Sequence, residues 1–505
     1  MRQLETERKF EIEQGAPLPG LAGLVQVGEA REHRMRAAYV DTPDLLLVRH
    51  RMTLRHREGG GDEGWHLKLP HDGSTRLEIH APLGEGPGRL RVPEGHRAEV
   101  ARALGDAWPT GAAAALLPAA VLSTHRVEVD LLDDGGVVVA QLCDDTVTAL
   151  PAGQTWRELE VELVGGDEDL LDAITARLED QGIQVSDSPS KLSRALGDRP
   201  DRAARGEGPT PQDPAADVLH AYLAAQLATI LGREDDVRND VPDAVHKVRV
   251  ATRRLRSALR TFRRVLRRET TDPLRDELRW LGEMLGGPRD AEVMRERILA
   301  GLDGLPERDV RGPVRERVTT ELDRRHDEAH RALVAALDSD RHLELTDRLV
   351  ELLAEPPWRA RARKKARRVM PALVAEASAL TDREWAAAQT EEDAEQRLHL
   401  QHETRKRAKA VRYAWEALAP AFGDDAVAAA ARWEQVTESL GGVQDSVVAI
   451  GWLRELADLA RAAGEETFTY GVLVGRAEEQ RVGLVSTAES AFSEAGGSHD
   501  QVNGR

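Results

Sequence analysis

The sequence is poor in the residues that several classes of protein depend on. It has one cysteine, Cys143, so an intramolecular disulfide is excluded and a reducing cytoplasm is favoured. Aromatic residues make up 4% of the chain and the formal net charge is −18. Both disfavour general binding to nucleic acid, because such binding needs cations for the phosphates and rings for the bases.

The sequence also lacks the long apolar segments of membrane and secreted proteins. No run of about 18 apolar residues is present, and the charged segment 1–13 lacks the apolar stretch of a secretory signal. We therefore expect a cytoplasmic protein with no membrane and no nucleic-acid partner.

The chain is long enough for at least two domains, and its composition changes along it. Residues 1–196 contain short alternating or β-branched runs between turns, with helices expected at 97–108 and 169–181, which predicts an α+β domain. Residues 197–216 are rich in Pro and Gly and predict a linker that forms neither helix nor strand. Residues 217–495 have a 3.6-residue periodicity that predicts an all-α domain, and 496–505 is expected to be a flexible tail.

Two segments of the first domain alternate charged residues with others. In a strand, Glu5, Glu7 and Lys9 project to one side, and the same spacing recurs in Glu158, Glu160 and Glu162. Crowded carboxylates repel one another, and hard cations such as Mg²⁺ or Mn²⁺ relieve that repulsion by coordination. For either segment alone, a solvated sheet face is the more ordinary interpretation.

Basic residues in the same domain favour an anion site beside those carboxylates. A lumen lined by Arg and Lys on some strands and by carboxylates on others would suit a linear chain of phosphates. Arg126 and Glu78 could instead form a structural ion pair. The basic candidates are Arg55, Arg57, Lys68, Arg76, Arg126, Lys191 and Arg194.

Residues 1–196 resemble the CYTH superfamily of triphosphate tunnel metalloenzymes, which include adenylate cyclases, thiamine triphosphatases and inorganic tripolyphosphatases. The resemblance rests on Glu5-x-Glu7-x-Lys9 and on collinear later motifs, among them 54–57, 65–68 and 190–194. It implies a closed antiparallel β-barrel that hydrolyses a triphosphate by attack of a metal-positioned water. The implied catalytic residues are Lys9, which could orient that water, together with Glu5 and Glu7. The implied phosphate-binding residues are Lys9, Arg55, Arg57, Lys68, Arg76, Arg126, Lys191 and Arg194.

The resemblance also implies a set of metal ligands. These are Glu5, Glu7, Asp145, Glu160 and Glu162, with Mg²⁺ or Mn²⁺ as the ion. Whether Asp144 or Asp145 faces inward stays open, because a slip of one residue in register exchanges the two faces of a strand.

The helical domain contains an internal repeat, at about 217–300 and 375–460. His246, Arg249, Arg253 and Arg256 lie on one helical stripe, which Arg260 extends, and they recur 156 positions later as His402, Arg405, Lys409 and Arg412. Each copy is followed by a matching Leu-Gly-Gly segment, 285–290 and 440–445, that predicts a turn. We expect two related helical bundles whose histidine-bearing helices face a shared surface.

The basic stripes have three interpretations. A single stripe would ordinarily be a solvated face, and a metal site at the histidines is disfavoured because Arg and Lys are not ordinary ligands. A repeated stripe is better explained as a cradle for a phosphate chain, with Lys406 beside it. Residues 217–495 resemble the CHAD domain, the conserved histidine α-helical domain, whose family is associated with inorganic polyphosphate and its granules.

Together these observations predict a two-domain protein in which the barrel hydrolyses short phosphate chains, with inorganic triphosphate as the expected substrate. The helical domain is expected to bind inorganic polyphosphate, and the protein to be cytoplasmic, including at polyphosphate granules. The alternative is a non-catalytic polyphosphate-binding or granule-associated protein.

Overall fold

The computed structural model describes residues 2–71, 75–150 and 153–496. The chain divides into two compact units, one of residues 1–207 with 346–356 and one of 208–345 with 357–505. Apart from Gly496, the tail expected at 496–505 lies outside the described residues.

The first unit is built on an antiparallel sheet that closes into an eight-stranded barrel, as the sequence predicted. The strand order is β5-β4-β3-β2-β6-β7-β8-β1, pairing between β5 and β1 closes the ring, and β9 lies beside β1. The strands are Arg2–Glu11 (β1), Gln26–Asp41 (β2), Thr53–Glu58 (β3), Gly64–Pro70 (β4), Thr75–Ala81 (β5), Leu117–Leu132 (β6), Val138–Leu150 (β7), Gln154–Leu163 (β8) and Gln184–Val185 (β9).

Five helices accompany the barrel. They are Leu46–Arg49 (α1), Glu94–Leu104 (α2), Glu168–Asp180 (α3), Lys191–Leu196 (α4) and Arg199–Ala204 (α5), with 3₁₀ turns at Gly105–Ala107 and Gly111–Ala114. Helix α5 lies inside the segment expected to form neither helix nor strand, so that expectation was wrong. A proline in the first turn of α5 is compatible with a helix, because the amide hydrogen that proline lacks has no helical partner there.

One apolar core of the first unit lies on the outer surface of the barrel. Phe10 of β1 and Leu159 and Val161 of β8 are fully buried against α3, which contributes Leu171 and Ile174. In β8 this arrangement follows from the alternation of the sequence, since Leu159, Val161 and Leu163 alternate with Glu158, Glu160 and Glu162. The outer residues therefore stabilise the fold, and the charged residues are left to line the interior.

The second unit is all helical, as predicted. Its helices are Ala215–Gly232 (α6), Glu234–Arg238 (α7), Ala244–Thr261 (α8), Arg268–Met284 (α9), Gly286–Asp303 (α10), Val314–Leu337 (α11), Asp340–Ala354 (α12), Ala366–Thr390 (α13), Ala394–Phe422 (α14), Asp424–Ala462 (α15) and Phe468–Gly496 (α16), with 3₁₀ turns at Glu307–Asp309 and Ala360–Arg363. The later residues of α12 belong to the first unit.

Helix α6 is long and apolar enough to cross a membrane by length and composition alone, with a mean hydropathy of 1.2. The structure buries 56% of it, including Val218, Leu219 and Leu223. A core helix of a helical domain passes the same test, and these buried residues make α6 part of the core.

The repeated glycine segments have different local structures. In the first copy α9 ends at Met284 and α10 begins at Gly286, so the chain does break there. In the second copy α15 runs unbroken through Leu440 and Asp445, so the expected turn is wrong. The first segment contains Pro288, which cannot continue the hydrogen bonding of a preceding helix, whereas the second has Val443 at the equivalent place.

The glycines serve close helix packing in both copies. A Cβ atom on Gly287 would lie 2.9 Å from the Cβ of Ala329 on α11, and one on Gly442 would lie 2.9 Å from the side chain of Leu484 on α16. A larger residue would therefore force the neighbouring helix away at either position. The repeated Leu-Gly-Gly segment therefore marks a close contact between two helices in both copies.

Candidate functional site

The register of the barrel strands brings the predicted charged residues onto the inner face. Glu7 lies opposite Glu162 and Lys9 opposite Glu160, on β1 and β8. Directly opposed residues of antiparallel strands share a face. The same face continues through Asp145 of β7, which lies opposite Glu158.

The other half of the ring presents most of the predicted cations on that face. Arg126 of β6 is opposite Asp145. Glu5 is opposite Arg76 of β5, and Lys68 of β4 is opposite Glu78. The remaining strand cations, Arg55 and Arg57, lie on β3, and Lys191 and Arg194 come from α4. The interior therefore collects all of the candidates that the sequence singled out on these strands.

One acidic group, Asp145 with Glu158 and Glu160, is surrounded by cations. Its three side chains are buried, and their oxygen atoms lie within 4.8 Å of one another, a spacing that could hold a metal ion. Arg126 donates to Asp145 at 2.6 and 2.8 Å and to Glu160 at 2.7 Å. Burial opposes ionisation of Glu160, but the ammonium groups of Lys191 and Lys9 and the guanidinium of Arg126 hold its pKa well below the usual range. Glu160 is therefore charged, and its charge is already neutralised by these cations.

A second acidic group, Glu5 with Glu7 and Glu162, has fewer cations. Lys68 pairs with Glu5, and Lys9 pairs with Glu7 at 2.8 Å. Burial opposes ionisation of Glu7, but Lys9 and Lys68 outweigh it and hold its pKa at about 2. Burial and the nearby charges of Glu5 and Glu7 raise the pKa of Glu162 to about 7. The three carboxylates of this group therefore outnumber its two ammonium groups, those of Lys9 and Lys68.

This second group fits a hard divalent cation. Its donor set consists of carboxylate oxygens, the ligands that Mg²⁺ and Mn²⁺ prefer. Burial and the neighbouring charges of Glu5 and Glu7 both oppose ionisation of Glu162, and a cation among the three carboxylates would favour their charged forms. The chemistry of Glu5, Glu7 and Glu162 is therefore compatible with a bound divalent ion.

A third group carries surplus positive charge. Arg57 is buried and contacts the carboxylate of Asp62, yet burial and the charges of Arg55 and Arg126 lower its pKa to about 9. Arg55 donates to the hydroxyl of Tyr39 at 3.2 Å. An anion bound among these guanidinium groups would be stabilised by forked hydrogen bonds and by relief of the repulsion between them.

The structure settles two questions that the sequence left open. Asp145 is fully buried and faces inward, whereas Asp144 pairs with Arg157 at 2.8 Å on the other face. The suggested pair of Arg126 and Glu78 is absent among the described residues. Arg126 binds Asp145 and Glu160, and Glu78 lies 2.7 Å from Nδ1 of His66.

Two of the predicted cations are engaged by neighbouring groups. Arg76 donates to the carbonyl oxygen of Pro189 at 2.9 Å, and Arg194 pairs with Glu11 at 2.7 Å and stacks over Trp156. To bind phosphate directly, Arg76 and Arg194 would have to leave these partners.

Sequence reasoning omitted two residues from the site. Glu158 belongs to the first acidic group and accepts a hydrogen bond from Trp156 Nε1 at 2.6 Å. Its alternation with Glu160 and Glu162 was a sufficient signal. His66 lies opposite Arg55 and carried no such signal, because its partner Glu78 is on another strand.

In the helical unit the two histidine-bearing helices, α8 and α14, are in direct contact. Arg253 of α8 donates to the hydroxyl of Tyr413 on α14 at 2.8 Å, and Arg254 pairs with Glu416 at 2.7 Å. The apolar side of α8, including Val248 and Leu255, is buried. The two basic stripes therefore form a common surface.

Part of that surface is already neutralised. Four of the predicted cations are paired with carboxylates: Arg249 with Asp290 at 2.8 Å, Arg405 with Asp445 at 3.7 Å, Lys406 with Glu403 at 2.7 Å and Arg412 with Glu416 at 2.8 Å. His402 is held by Gln444, with 3.0 Å between Nδ1 and the amide oxygen.

The other predicted cations of this surface have no carboxylate partner among the described residues. Among the described residues, no carboxylate lies within ion-pairing distance of Arg253, Arg256, Arg260 or Lys409. Burial and neighbouring guanidinium groups lower the pKa values of Arg256 and Arg260. They also lower the pKa of Lys409 to about 7, with Arg253 and Arg405 as the main charged neighbours. Burial likewise lowers the pKa of His246 and of His402.

Comparison with protein families assigns both halves of the chain. The CYTH domain matches residues 3–196 and the CHAD domain matches residues 221–454. Over 508 aligned positions the chain is 36% identical to the uncharacterized protein Rv2226 of Mycobacterium tuberculosis, covering 94% of this chain and 92% of that one.

Three solved structures are similar to parts of the chain. PptA from Streptomyces chartreusis is 21% identical, with a TM-score of 0.47, and the match covers 56% of this chain and all of that one. The CHAD domain from Ricinus communis is 23% identical, with a TM-score of 0.46, over 57% of this chain and 94% of that one. HpAC1 from Hippeastrum, a protein with a dominant triphosphatase activity, is 16% identical, with a TM-score of 0.25, over 38% of this chain and 94% of that one.

Proposed function

The chain belongs to the CYTH family in residues 3–196 and to the CHAD family in residues 221–454, and on this basis we propose that its barrel hydrolyses inorganic triphosphate with a divalent metal while its helical domain binds long inorganic polyphosphate. CYTH proteins are metal-dependent triphosphatases or cyclases that act on triphosphate substrates. Hydrolysis of inorganic triphosphate in particular is the proposal made for this chain.

The observation that carries the barrel proposal is the presence of two opposite charge surpluses in one interior. The three carboxylates of Glu5, Glu7 and Glu162 lie beside two ammonium groups, those of Lys9 and Lys68, and the pKa of Arg57 is lowered beside Arg55 and Arg126 although Arg57 contacts Asp62. A triphosphate with its divalent ion relieves both, because the ion joins the carboxylates and the phosphate oxygens join the arginines.

The residues of the barrel have distinct tasks in this reaction. The arginines bind the phosphate chain. A water molecule attacks the terminal phosphorus in line with the bond between that phosphorus and the bridging oxygen, and this bond breaks to give phosphate and pyrophosphate. When bound, the metal ion neutralises charge on the phosphate oxygens and positions the attacking water. Lys9 holds its proton, because Glu160 and Glu7 raise its pKa above the usual range despite its burial. It therefore orients groups through hydrogen bonds and does not act as a base.

The proposal is tested by phosphate release from inorganic triphosphate, ATP and thiamine triphosphate, with Mg²⁺ or Mn²⁺. We expect metal-dependent release, fastest from inorganic triphosphate and strongly reduced in Glu5→Gln and Glu160→Gln. Asp144→Asn, which changes the outer face of the same barrel, is the control and should retain the activity. Absence of release from all three substrates would favour the alternative, a barrel that only binds phosphate chains.

The helical proposal rests on the uncompensated cations of α8 and α14. Holding Arg253, Arg256, Arg260 and Lys409 together costs free energy in the free protein, and a polyanion laid across the two stripes would recover it. Charge reversal at Arg253 and Lys409 should weaken binding of long-chain polyphosphate in calorimetry. Unchanged affinity would refute this assignment.

A further inference from the structure

The first acidic group of the barrel has the spacing of a metal site but already contains a cation. The ammonium group of Lys191 lies 2.9 Å from Asp145, 2.8 Å from Glu158 and 2.5 Å from Glu160. These are hydrogen-bond distances to all three carboxylates at once. A divalent ion that coordinates the same oxygens at about 2.0–2.2 Å would occupy the space that this nitrogen fills.

Lys191 is anchored so that its ammonium group stays among the carboxylates. It begins α4, whose first turn is capped by Ser190, with 3.0 Å from the backbone nitrogen of Ser193 to the Ser190 hydroxyl. Leu192 and Leu196 of the same helix are buried in a core cluster that includes Trp156. The helix is therefore held by apolar packing against inward-facing residues of the barrel strands, among them Trp156, while its first side chain reaches the acidic group.

The charges around this group balance without a metal ion. Three carboxylates, Asp145, Glu158 and Glu160, face three cations, which are Lys191, Arg126 and Lys9. A divalent ion added to this arrangement would be repelled by a buried ammonium group at close range, with little water to screen it. The surplus of carboxylate lies instead at Glu5, Glu7 and Glu162.

We infer that Lys191 is a built-in counter-ion that replaces a metal ion between Asp145, Glu158 and Glu160, and that it directs divalent cations to Glu5, Glu7 and Glu162. This inference rests on the proposed metal dependence of the barrel and refines it. It makes Lys191 a residue that sets how many cations the tunnel holds, whereas the family resemblance assigns it to phosphate.

The test is a measurement of Mn²⁺ binding to the full chain by electron paramagnetic resonance and calorimetry, without phosphate. The wild-type protein should hold one tightly bound ion in the barrel, and Lys191→Ala should hold one more. Lys191→Arg keeps the positive charge and should bind as the wild type does. Lys191→Ala combined with Glu158→Gln should lose the additional ion, which would locate it in this cluster.

A second measurement covers the case in which Lys191→Ala is too unstable for titration. Loss of Lys191 leaves three buried carboxylates with two cations, so the melting temperature of the variant should fall, and Mn²⁺ should raise it by more than in the wild type. Lys191→Gln serves as a milder variant in the same comparison.

The results separate the inference from the proposed function. Equal numbers of bound ions, and equal Mn²⁺ effects on melting, in wild type and Lys191 variants would overturn the inference. Two tightly bound ions in the wild-type barrel would overturn it as well. A wild type that binds none, beside a Lys191→Ala variant that binds one, would support Lys191 as the counter-ion and would overturn the assignment of the metal ion to Glu5, Glu7 and Glu162. Metal-dependent hydrolysis is tested separately by phosphate release.

Discussion

Lys9 and Glu160 face each other across β1 and β8 in register, and their side chains form an ion pair inside the barrel. Lys9 also reaches Glu7 at 2.8 Å, so one ammonium group links the two acidic groups of the tunnel. Its side chain therefore lies between Glu7, one of the carboxylates proposed to hold a metal ion, and Glu160, one of those that contact Lys191.

The first prediction concerns this link. Lys9→Met should lower kcat for triphosphate on the order of 10²- to 10³-fold, the usual cost of losing one charged donor from a preorganised site. Arg8→Met is the matched control, because Arg8 lies on the outer face of the same strand and binds Asp172 and Thr175 at 2.9 and 2.6 Å. Steady-state phosphate release compares them, and equal losses would contradict a specific role for Lys9.

The second prediction compares two adjacent carboxylates. Asp145→Asn removes a buried carboxylate that pairs with both Arg126 and Lys191, which leaves uncompensated positive charge in the interior, and it should cost about 3–5 kcal/mol of stability. Asp144→Asn weakens a pair with Arg157 nearer the surface and should cost about 1 kcal/mol. Calorimetric melting of the full chain measures both. A larger loss for Asp144→Asn would mean that the strand has the opposite register.

The third prediction is a pH dependence of polyphosphate binding. Burial, with Arg253 and Arg405 nearby, lowers the pKa of Lys409 to about 7, and a bound polyanion favours the charged form. The complex therefore binds more protons than the free protein, so affinity should fall as the pH rises above 7, by up to about tenfold per pH unit.

The control for the pH dependence is Lys409→Arg, whose charge does not titrate in this range. Calorimetry at pH 6.5 and 8.5, in buffers with different ionisation enthalpies, should show proton uptake at the higher pH in the wild type and little in the variant. An identical pH dependence in both proteins would exclude Lys409 as its source.

The fourth prediction separates free from neutralised cations on the helical surface. Arg253→Gln should weaken binding of long-chain polyphosphate and reduce its salt dependence, because Arg253 has a hydroxyl partner and no carboxylate among the described residues. Arg412→Gln should have a smaller effect, since Arg412 already pairs with Glu416 and Glu434. Binding isotherms at several salt concentrations compare the two variants. An equal effect of both changes would contradict the distinction between Arg253, which has no carboxylate partner among the described residues, and the paired Arg412.

Local pattern predicted the strand-rich and the all-helical halves of the chain, and the family resemblance implied that the strands close into a barrel. The alternation in β8 and the 3.6-residue periodicity of α8 each determine which face is apolar, and the structure confirms the closed barrel and the all-helical domain. Boundaries were less accurate: the helix expected at 97–108 is Glu94–Leu104. It follows Pro93 and ends at Gly105, whose φ of +53° lies in a region that other residues rarely adopt.

Contacts between distant segments could not be predicted from the sequence. Asp144 and Asp145 differ only in the face they occupy, and that face depends on pairing with β6 and β8. The position of Lys191 among three carboxylates depends on how α4 packs against inward-facing residues of strands that are distant from it in sequence. The roles assigned to the site residues stay predictions until they are measured.

Metal-dependent hydrolysis of triphosphate by the barrel is tested by the rate of phosphate release from inorganic triphosphate as Mg²⁺ or Mn²⁺ is added to the metal-free full chain. We expect negligible phosphate release without metal and saturable activation as the metal ion is added. In Glu162→Gln we expect this activation to be lost while the melting temperature is maintained. Release that is independent of metal, or no release at any metal concentration, would contradict it.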